Sequence, residues 1–286
     1  MEPRRQAARV TTFFVTGANS GIGRALVEAL AARGDAATII LATRSEERTR
    51  PVLTELKRRY PAARTQWVNV DVSDLTSVRR AAQTFVATKQ PIDVLVNNAG
   101  VAGTKRLSKD GFDITYATNH IGPFLLTNLL LPRLREAPQG RVVNVASNAH
   151  FKAKEMDWSG LERRTAPQRS GFKDYAVTKL MNVLHAKELA RRLSGTRVTT
   201  YSLHPGAVAS NIWRALPRPV QWIGKLFMLS NEEGARTPLY CATAPEVATA
   251  SGRYYYKSRE AKNSPLAEDA TLARQLWERS EAITGS

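Results

Sequence analysis

An α/β fold is predicted for this chain, a doubly wound parallel sheet with helices on both faces. Short β-branched or apolar runs alternate with longer stretches of helical periodicity along most of its length. The first such run leads straight into a glycine-rich turn that opens a helix. The 286 residues, 43% hydrophobic and 23% charged, supply the core that a sheet buried on both faces needs.

The elements follow in order. Residues 1–9 read as a basic tail and 10–16 as a buried first strand. The helix over 21–33 places Ile22, Leu26, Ala29 and Leu30 on one face. A β-branched run, TIILAT (38–43), is the second strand, and a helix over 46–60 stops before Pro61. The third strand is 66–70. Ser73 is expected to cap a helix reaching Lys89. IDVLV (92–96) is the fourth strand, a long leucine-rich helix lies within 112–134, and RVVNVA (141–146) is the fifth strand. A polar insertion (148–171) precedes a helix over 174–193, a sixth strand over 196–203 and a seventh over 252–256. Right-handed crossovers make this a Rossmann-type sheet of about seven strands, read as a single domain over 1–286. Residues 207–229, with Trp213, Trp222, Phe227 and Met228 among prolines, read as an excursion outside the sheet. Ser230 and Glu233 form a capping-box pattern for the helix that follows.

Composition excludes several classes. A single cysteine, Cys241, forbids an internal disulfide, and with only four histidines no zinc ribbon or other metal site is expected. No stretch reaches the roughly 18 apolar residues of a membrane-spanning helix. The net charge of +17 suits an anionic cofactor, anionic lipid or nucleic acid alike. Without an aromatic-interleaved RNA-binding signature, no nucleic-acid partner is expected.

The turn TGANSGIG (16–23) joins the first strand to the first helix. Glycines 17, 21 and 23 allow close backbone approach to a pyrophosphate, and the helix N-terminus offers unpaired N–H groups. An ordinary strand–helix loop is the plain alternative. At the end of the second strand stands Arg44, where an NAD-preferring site commonly has a carboxylate. A guanidinium there favours a 2′-phosphate, hence NADP(H); Arg44 is also consistent with the solvated start of a basic helix. Tyr175 and Lys179 share a helical face. An ammonium nearby lowers a phenol pKa from its usual value of about 10, making an acid/base pair. Ser147 lies just past the fifth strand, able to bond a carbonyl or to serve as a turn cap. Asn119 is an amide where helices disfavour one, and NNAG (97–100) ends the fourth strand.

Taken together, TGANSGIG, Asp71-Val72, NNAG, Asn119, Ser147, YAVTK (175–179) and HPG (204–206) resemble the short-chain dehydrogenase/reductase family over about residues 10–256. LATR, NHIGPFLLTNLLLPRL, RVVNVASNAH, KLMNVL and NEEGARTPLY are most similar to its retinol dehydrogenase-like branch. The resemblance implies direct, metal-free hydride transfer between NADP(H) and a lipophilic carbonyl or alcohol of the retinoid, steroid, aldehyde or ketone class. It implies Tyr175 as acid/base, Lys179 as the group that lowers its pKa and holds the nicotinamide ribose, Ser147 as carbonyl polariser and Asn119 as support for a relay water. Cofactor contacts are implied at Gly17, Asn19, Ser20, Gly21, Ile22, Gly23, Arg44, Asp71, Val72, Asn98, Ala99, Gly100, Tyr175, Lys179, Pro205, Gly206 and Val208. Substrate contacts are implied at Ser147, Tyr175, Trp213 and Trp222, with 207–229 covering the site.

Three positions depart from the branch: Ala146 precedes Ser147, Pro123 replaces a commoner His, and Thr178 stands where Ser is usual. Many members carry an N-terminal membrane anchor; none is read here, and a cytoplasmic protein is expected, with peripheral membrane contact left open through Arg214, Arg218 and Lys225. A homodimer or homotetramer is implied, and the leucine-rich helix fits such a contact. The competing class is a cofactor-binding scaffold without turnover.

Overall fold

The computed structural model describes residues 10–35, 37–104, 106–162, 171–207 and 229–286. Its elements are β1 (Thr11–Thr16), α1 (Gly21–Ala32), β2 (Ala37–Thr43), α2 (Glu46–Arg59), β3 (Arg64–Asn69), α3 (Leu75–Ala87), β4 (Val94–Asn97), the short α4 (Ile114–Tyr116), α5 (Gly122–Arg135), β5 (Gly140–Val145), the short α6 (Ser159–Glu162), α7 (Phe172–Arg192), β6 (Val198–His204), α8 (Asn231–Thr243), β7 (Arg253–Tyr256), β8 (Arg259–Glu260) and α9 (Ala270–Thr284). The sheet order is β3-β2-β1-β4-β5-β6-β7-β8. The pairs are parallel except the last, in which β8 runs antiparallel to β7.

Strand alternation sorts the core into two layers. Phe13 and Val15 of β1, with Ile39 and Leu41 of β2, face one way and pack with Leu26 and Leu30 of α1, Leu56 of α2 and Cys241 of α8. Phe14, Ile40 and Ala42 face the other way, onto Val78 and Phe85 of α3 and the leucines of α5. Consecutive side chains of a strand point to opposite faces, so an unbroken apolar run is what a sheet covered on both sides demands.

Four sequence expectations are corrected. The sheet has eight strands rather than about seven: Tyr255 pairs with Glu260 and Tyr256 with Arg259 across a turn whose Lys257 and Ser258 take positive φ. The cap of α3 is Asp74, whose carboxylate accepts the Ser77 N–H at 3.0 Å. Ser73 instead donates its hydroxyl to Asp71 at 2.6 Å. The long helix expected within 112–134 is broken by a π-helical turn at Ala117–Ile121. The helix carrying Tyr175 begins at Phe172, earlier than expected. The capping box at Ser230 and Glu233 is present as read.

The π turn has a local cause and a tertiary one. Pro123 lacks an N–H, so the carbonyl four residues back, on Asn119, has no α-helical donor. Gly122 meanwhile lies so close to the loop before α3 that a Cβ there would sit 1.7 Å from the Val72 carbonyl oxygen. The C-terminal helix α9, absent from the sequence reading, packs along α7. Its Trp277 meets Phe124 of α5 edge-on at 4.8 Å and lies under the Arg192 guanidinium at 4.4 Å. Part of the leucine-rich helix expected to serve association is thus covered by this chain's own residues.

Candidate active site

The chain proceeds outward in opposite directions from β1 and from β4, so the crevice at their carboxyl ends is the switch point where such sheets take ligands. Gly17 and Gly21 adopt φ of 66° and 56°, backbone that only glycine takes without strain. Gly23 is required by space: a Cβ would lie 2.4 Å from the Gly17 carbonyl and 2.5 Å from Asn98 Nδ2. Thr16 holds this turn against the end of β4. Its Oγ1 accepts the N–H groups of Asn98 at 2.9 Å and Ala99 at 3.0 Å. Asn98 returns its side-chain amide to the Thr16 carbonyl at 2.9 Å. Ser20, at the N-cap of α1, does not spend its hydroxyl on capping, and the first turn carries no acidic residue. The helix therefore presents donors without a competing carboxylate.

Arg44 stands past β2, its side chain 58% exposed and 3.9 Å from Asp71. The Asp71 carboxylate is anchored by the backbone N–H and hydroxyl of Ser73. Ala99 and Gly100 line the end of β4, where a Cβ on Gly100 would stand 3.3 Å from Asn119 Oδ1 and 3.7 Å from Lys179 Nζ. Pro205 and Gly206 follow β6, Gly206 at a φ of 98°. Val208, Trp213 and Trp222 lie outside the described residues, as does nearly all of the expected covering segment.

The catalytic candidates converge beyond β5. Ser147 caps a 3-10 turn (Asn148–Lys152), its oxygen accepting the Ala149 N–H at 3.2 Å. The Ser147 hydroxyl lies near enough to the Tyr175 phenol to pull its pKa downward. Lys179 Nζ lies 5.5 Å from the centre of the Tyr175 ring, one helical turn away. It donates to the Val145 carbonyl at 2.8 Å and to Asn182 Oδ1 at 3.2 Å. Asn119 lies in the π turn. Its amide bonds both backbone groups of Val101, at 2.8 and 2.9 Å, and donates to Thr178 Oγ1 at 3.0 Å.

Burial dominates the electrostatics. It pushes the Tyr175 phenol up to about 12, against the smaller downward pull of the Ser147 hydroxyl. It also pushes Lys179 down to about 7. The resemblance implies a phenol lowered by the lysine; among the protein's own groups burial sets the opposite direction, because a tyrosinate in this pocket gives up water, and the lowering pull comes from Ser147.

Two participants were missed. Asn182 was legible in spacing, three residues past Lys179 on the same helix, but an Asn inside a helix carries no signal without a known partner. His150 required the fold. The Ser264 N–H donates to its Nε2 at 3.2 Å, which leaves the proton on Nδ1 to donate to the Ser147 carbonyl at 2.7 Å. Burial lowers its pKa and keeps this neutral form.

The family model for short chain dehydrogenase matches residues 11–158, through the glycine turn and Ser147. The chain belongs to the short-chain dehydrogenase/reductase family. Human dehydrogenase/reductase SDR family member 13 is 39% identical over 285 residues, covering 97% of this chain and 74% of its own. Human retinol dehydrogenase 11 is 37% identical over 274 residues, covering 95% and 85%. A crystal structure of an uncharacterized protein from Mycobacterium paratuberculosis superposes with a TM-score of 0.77 at 32% identity, covering 96% of this chain and 94% of that one. As a short-chain dehydrogenase/reductase this protein is an oxidoreductase, and members of the family bind a nicotinamide cofactor. Among its described residues, no helix is long and apolar enough to cross a membrane.

Proposed function

We propose that this protein is an NADP(H)-dependent oxidoreductase acting on lipophilic carbonyls or alcohols, of the retinoid, steroid, aldehyde or ketone class, with Tyr175 as the acid/base. The observation that carries the reading is the meeting of the Ser147 hydroxyl, the Tyr175 phenol and the buried Lys179 ammonium at one sheet edge. The residues present fit a dinucleotide. Glycines 17 and 23 let the turn close tightly on Asn98 and Ala99, and the first turn of α1 keeps its N–H groups free of a side-chain cap and of any acidic residue. Arg44 is exposed and only loosely paired with Asp71, so its guanidinium is available to a 2′-phosphate. The bound cofactor supplies or accepts the hydride.

The chain's own residues handle the oxygen and its proton. Ser147 accepts from Ala149, and its O–H, turned toward the Tyr175 oxygen in this structure, can turn to donate to a substrate carbonyl. Tyr175, held protonated through neutral pH by burial, donates to the same oxygen as negative charge develops there. Lys179 and the turn at Gly100 frame the space beside the phenol. The apolar substrate class is supported by Phe151 and Phe172, large hydrophobic side chains 49% and 37% exposed that flank Ser147 and Tyr175 along the chain. Activity is read as NADPH oxidation across retinal, steroid ketones, aromatic aldehydes and medium-chain aldehydes. Turnover of none of them would reject the enzyme in favour of a cofactor-binding scaffold. A cytoplasmic location belongs to this proposal and is checked by fractionating cells.

Arg44→Asp is expected to weaken NADPH binding by about ten- to a hundredfold and NADH binding by less than about threefold, since a charge-assisted phosphate contact becomes a repulsion. Cofactor titration by fluorescence measures the ratio. An unchanged ratio removes Arg44 from the phosphate site.

Lys179 gives a stability prediction with a definite sign. Its folded pKa of about 7 lies below the ordinary 10.5, so between those values the unfolded chain binds more protons. The cost of burying the ammonium is therefore full below pH 7 and fades as pH rises towards 10.5. Lys179→Met is expected to gain roughly 2–4 kcal/mol at pH 6 relative to its effect at pH 10, while abolishing turnover. Urea unfolding at the two pH values measures this, and equal effects at both would contradict a charged, desolvated lysine. Comparing the two values cancels the pH-independent loss of the bond to Val145.

A further inference from the structure

The geometry points to Asn182 as a positioning residue that ties the Lys179 ammonium to the π-turn carbonyl of Asn119; this rests on the function proposed above. One planar amide makes both contacts. Its Oδ1 accepts Lys179 Nζ at 3.2 Å, and its Nδ2 donates to the Asn119 carbonyl at 2.6 Å. Both groups need such a partner. The Asn119 carbonyl is the one that Pro123, without an N–H, leaves lacking an α-helical donor. The ammonium is 3% exposed and has three protons to place. Val145 takes one from β5 and Asn182 takes another from α7.

α7 and the π turn, already joined through Thr178 and through the His120–His185 pair, are thereby also tied together directly behind the acid/base pair. The lock acts on both of its sides. The Asn119 side chain grips Val101 and Thr178, so fixing its carbonyl also fixes the loop beyond β4. Lys179 is held at a fixed height against the Tyr175 ring. An apolar residue at 182 would leave Val145 as the partner holding the ammonium and would put hydrocarbon against the carbonyl of Asn119. The titratable groups around Lys179 are Tyr175 and, further along α7, His185. His185 sits against His120 of the π turn at 6.1 Å between ring centres, and burial holds both histidines neutral at pH 7. Burial alone shifts Lys179, with no carboxylate offsetting it among the described residues.

The test compares Asn182→Leu, which keeps the branched shape and removes both polar ends, with Asn182→Asp, which keeps an acceptor and adds a charge. NADPH affinity is expected to stay within about threefold in both. In Asn182→Leu, kcat for carbonyl reduction is expected to fall at least about tenfold with KM within about threefold. In Asn182→Asp, the carboxylate beside Lys179 is expected to move the pH profile of kcat by about one unit or more to the alkaline side. The same substitution is expected to flatten the rise of thermal stability between pH 7 and 10, a readout that needs no turnover. Asn182→Leu with wild-type kcat and pH profile overturns the assignment. So does a loss of kcat that matches the loss of thermal stability equally in both variants, with no alkaline movement. Should Asn182→Leu fail to fold, the isosteric Asn182→Asp decides through its stability profile. A flattened profile in a protein that turns over no carbonyl or alcohol keeps the Asn182 contact and sinks the oxidoreductase reading. An active wild type with an unmoved Asn182→Asp profile does the reverse.

Discussion

Tyr175→Phe is expected to lower carbonyl reduction by about 10²–10⁴-fold while NADPH binding stays within about threefold. The phenol is the proposed source of the transferred proton, and phenylalanine removes that oxygen without disturbing the ring. The ring is 8% exposed and packs at the start of α7, so its apolar contacts survive. Stability should change by only about 1 kcal/mol, the usual net value of one hydrogen bond, here the interaction with Ser147. The two measurements, stopped-flow reduction and fluorescence titration of NADPH, separate lost chemistry from lost binding. Wild-type turnover in Tyr175→Phe would dismiss Tyr175 as the acid. Because burial holds the phenol protonated, reduction by the wild type should be flat through neutral pH on the phenol's account. For alcohol oxidation the same phenol must first lose its proton, so that direction should rise with pH over the range where reduction is level.

Gly122→Ala carries the largest expected structural effect. Alanine in place of glycine inside a helix normally stabilises by about 1 kcal/mol, because the unfolded chain loses freedom. The sign reverses here. Gly122 has a φ of −65°, ordinary for any residue, so conformation is not its reason. Its reason is contact: a Cβ would lie 1.7 Å from the Val72 carbonyl oxygen and 2.8 Å from its carbon. Both atoms are backbone at the entry to α3 and cannot rotate away. Either α5 retreats from that loop or the π turn rearranges and carries Asn119 with it. A loss of about 3 kcal/mol or more is expected in urea unfolding, the upper range for overpacking a rigid site. Where the variant still folds, kcat should fall, since the Asn119 carbonyl no longer meets Asn182 in place. An unchanged midpoint together with unchanged kcat would contradict so close an approach.

Legibility followed the range of the interaction involved. The alternation of β1, β2 and β4 with α1, α2 and α3 was readable because each signal lies within a few residues: a β-branched run, a cap, a 3.6-residue period. The glycine turn was readable for the same reason, as three glycines at one strand–helix junction leave few backbone options. Asp74 and Ser73 show the limit of local reading. Both are good caps, and the choice fell to Asp74 because the Ser73 hydroxyl bonds to Asp71 instead. The two-residue β8 is too short to show a period, and its partner is Tyr255–Tyr256, already paired on the other side with β6.

What the sequence determined by itself was the wound order of strands and helices, the family, and the identities of Ser147, Tyr175, Lys179 and Asn119 as candidates. Those rest on periodicity and on motifs whose spacing along the chain carries the information. Only the tertiary structure decided how the candidates are tuned. Desolvation depends on what surrounds a group from every side, so the rise of Tyr175 to about 12 and the fall of Lys179 to about 7 have no signature in neighbouring residues. Nor does the grip of Asn182 on Asn119, 63 residues away, or that of His150 on Ser147 through Ser264, 114 residues away. Such contacts are fixed by where the packed elements come to rest.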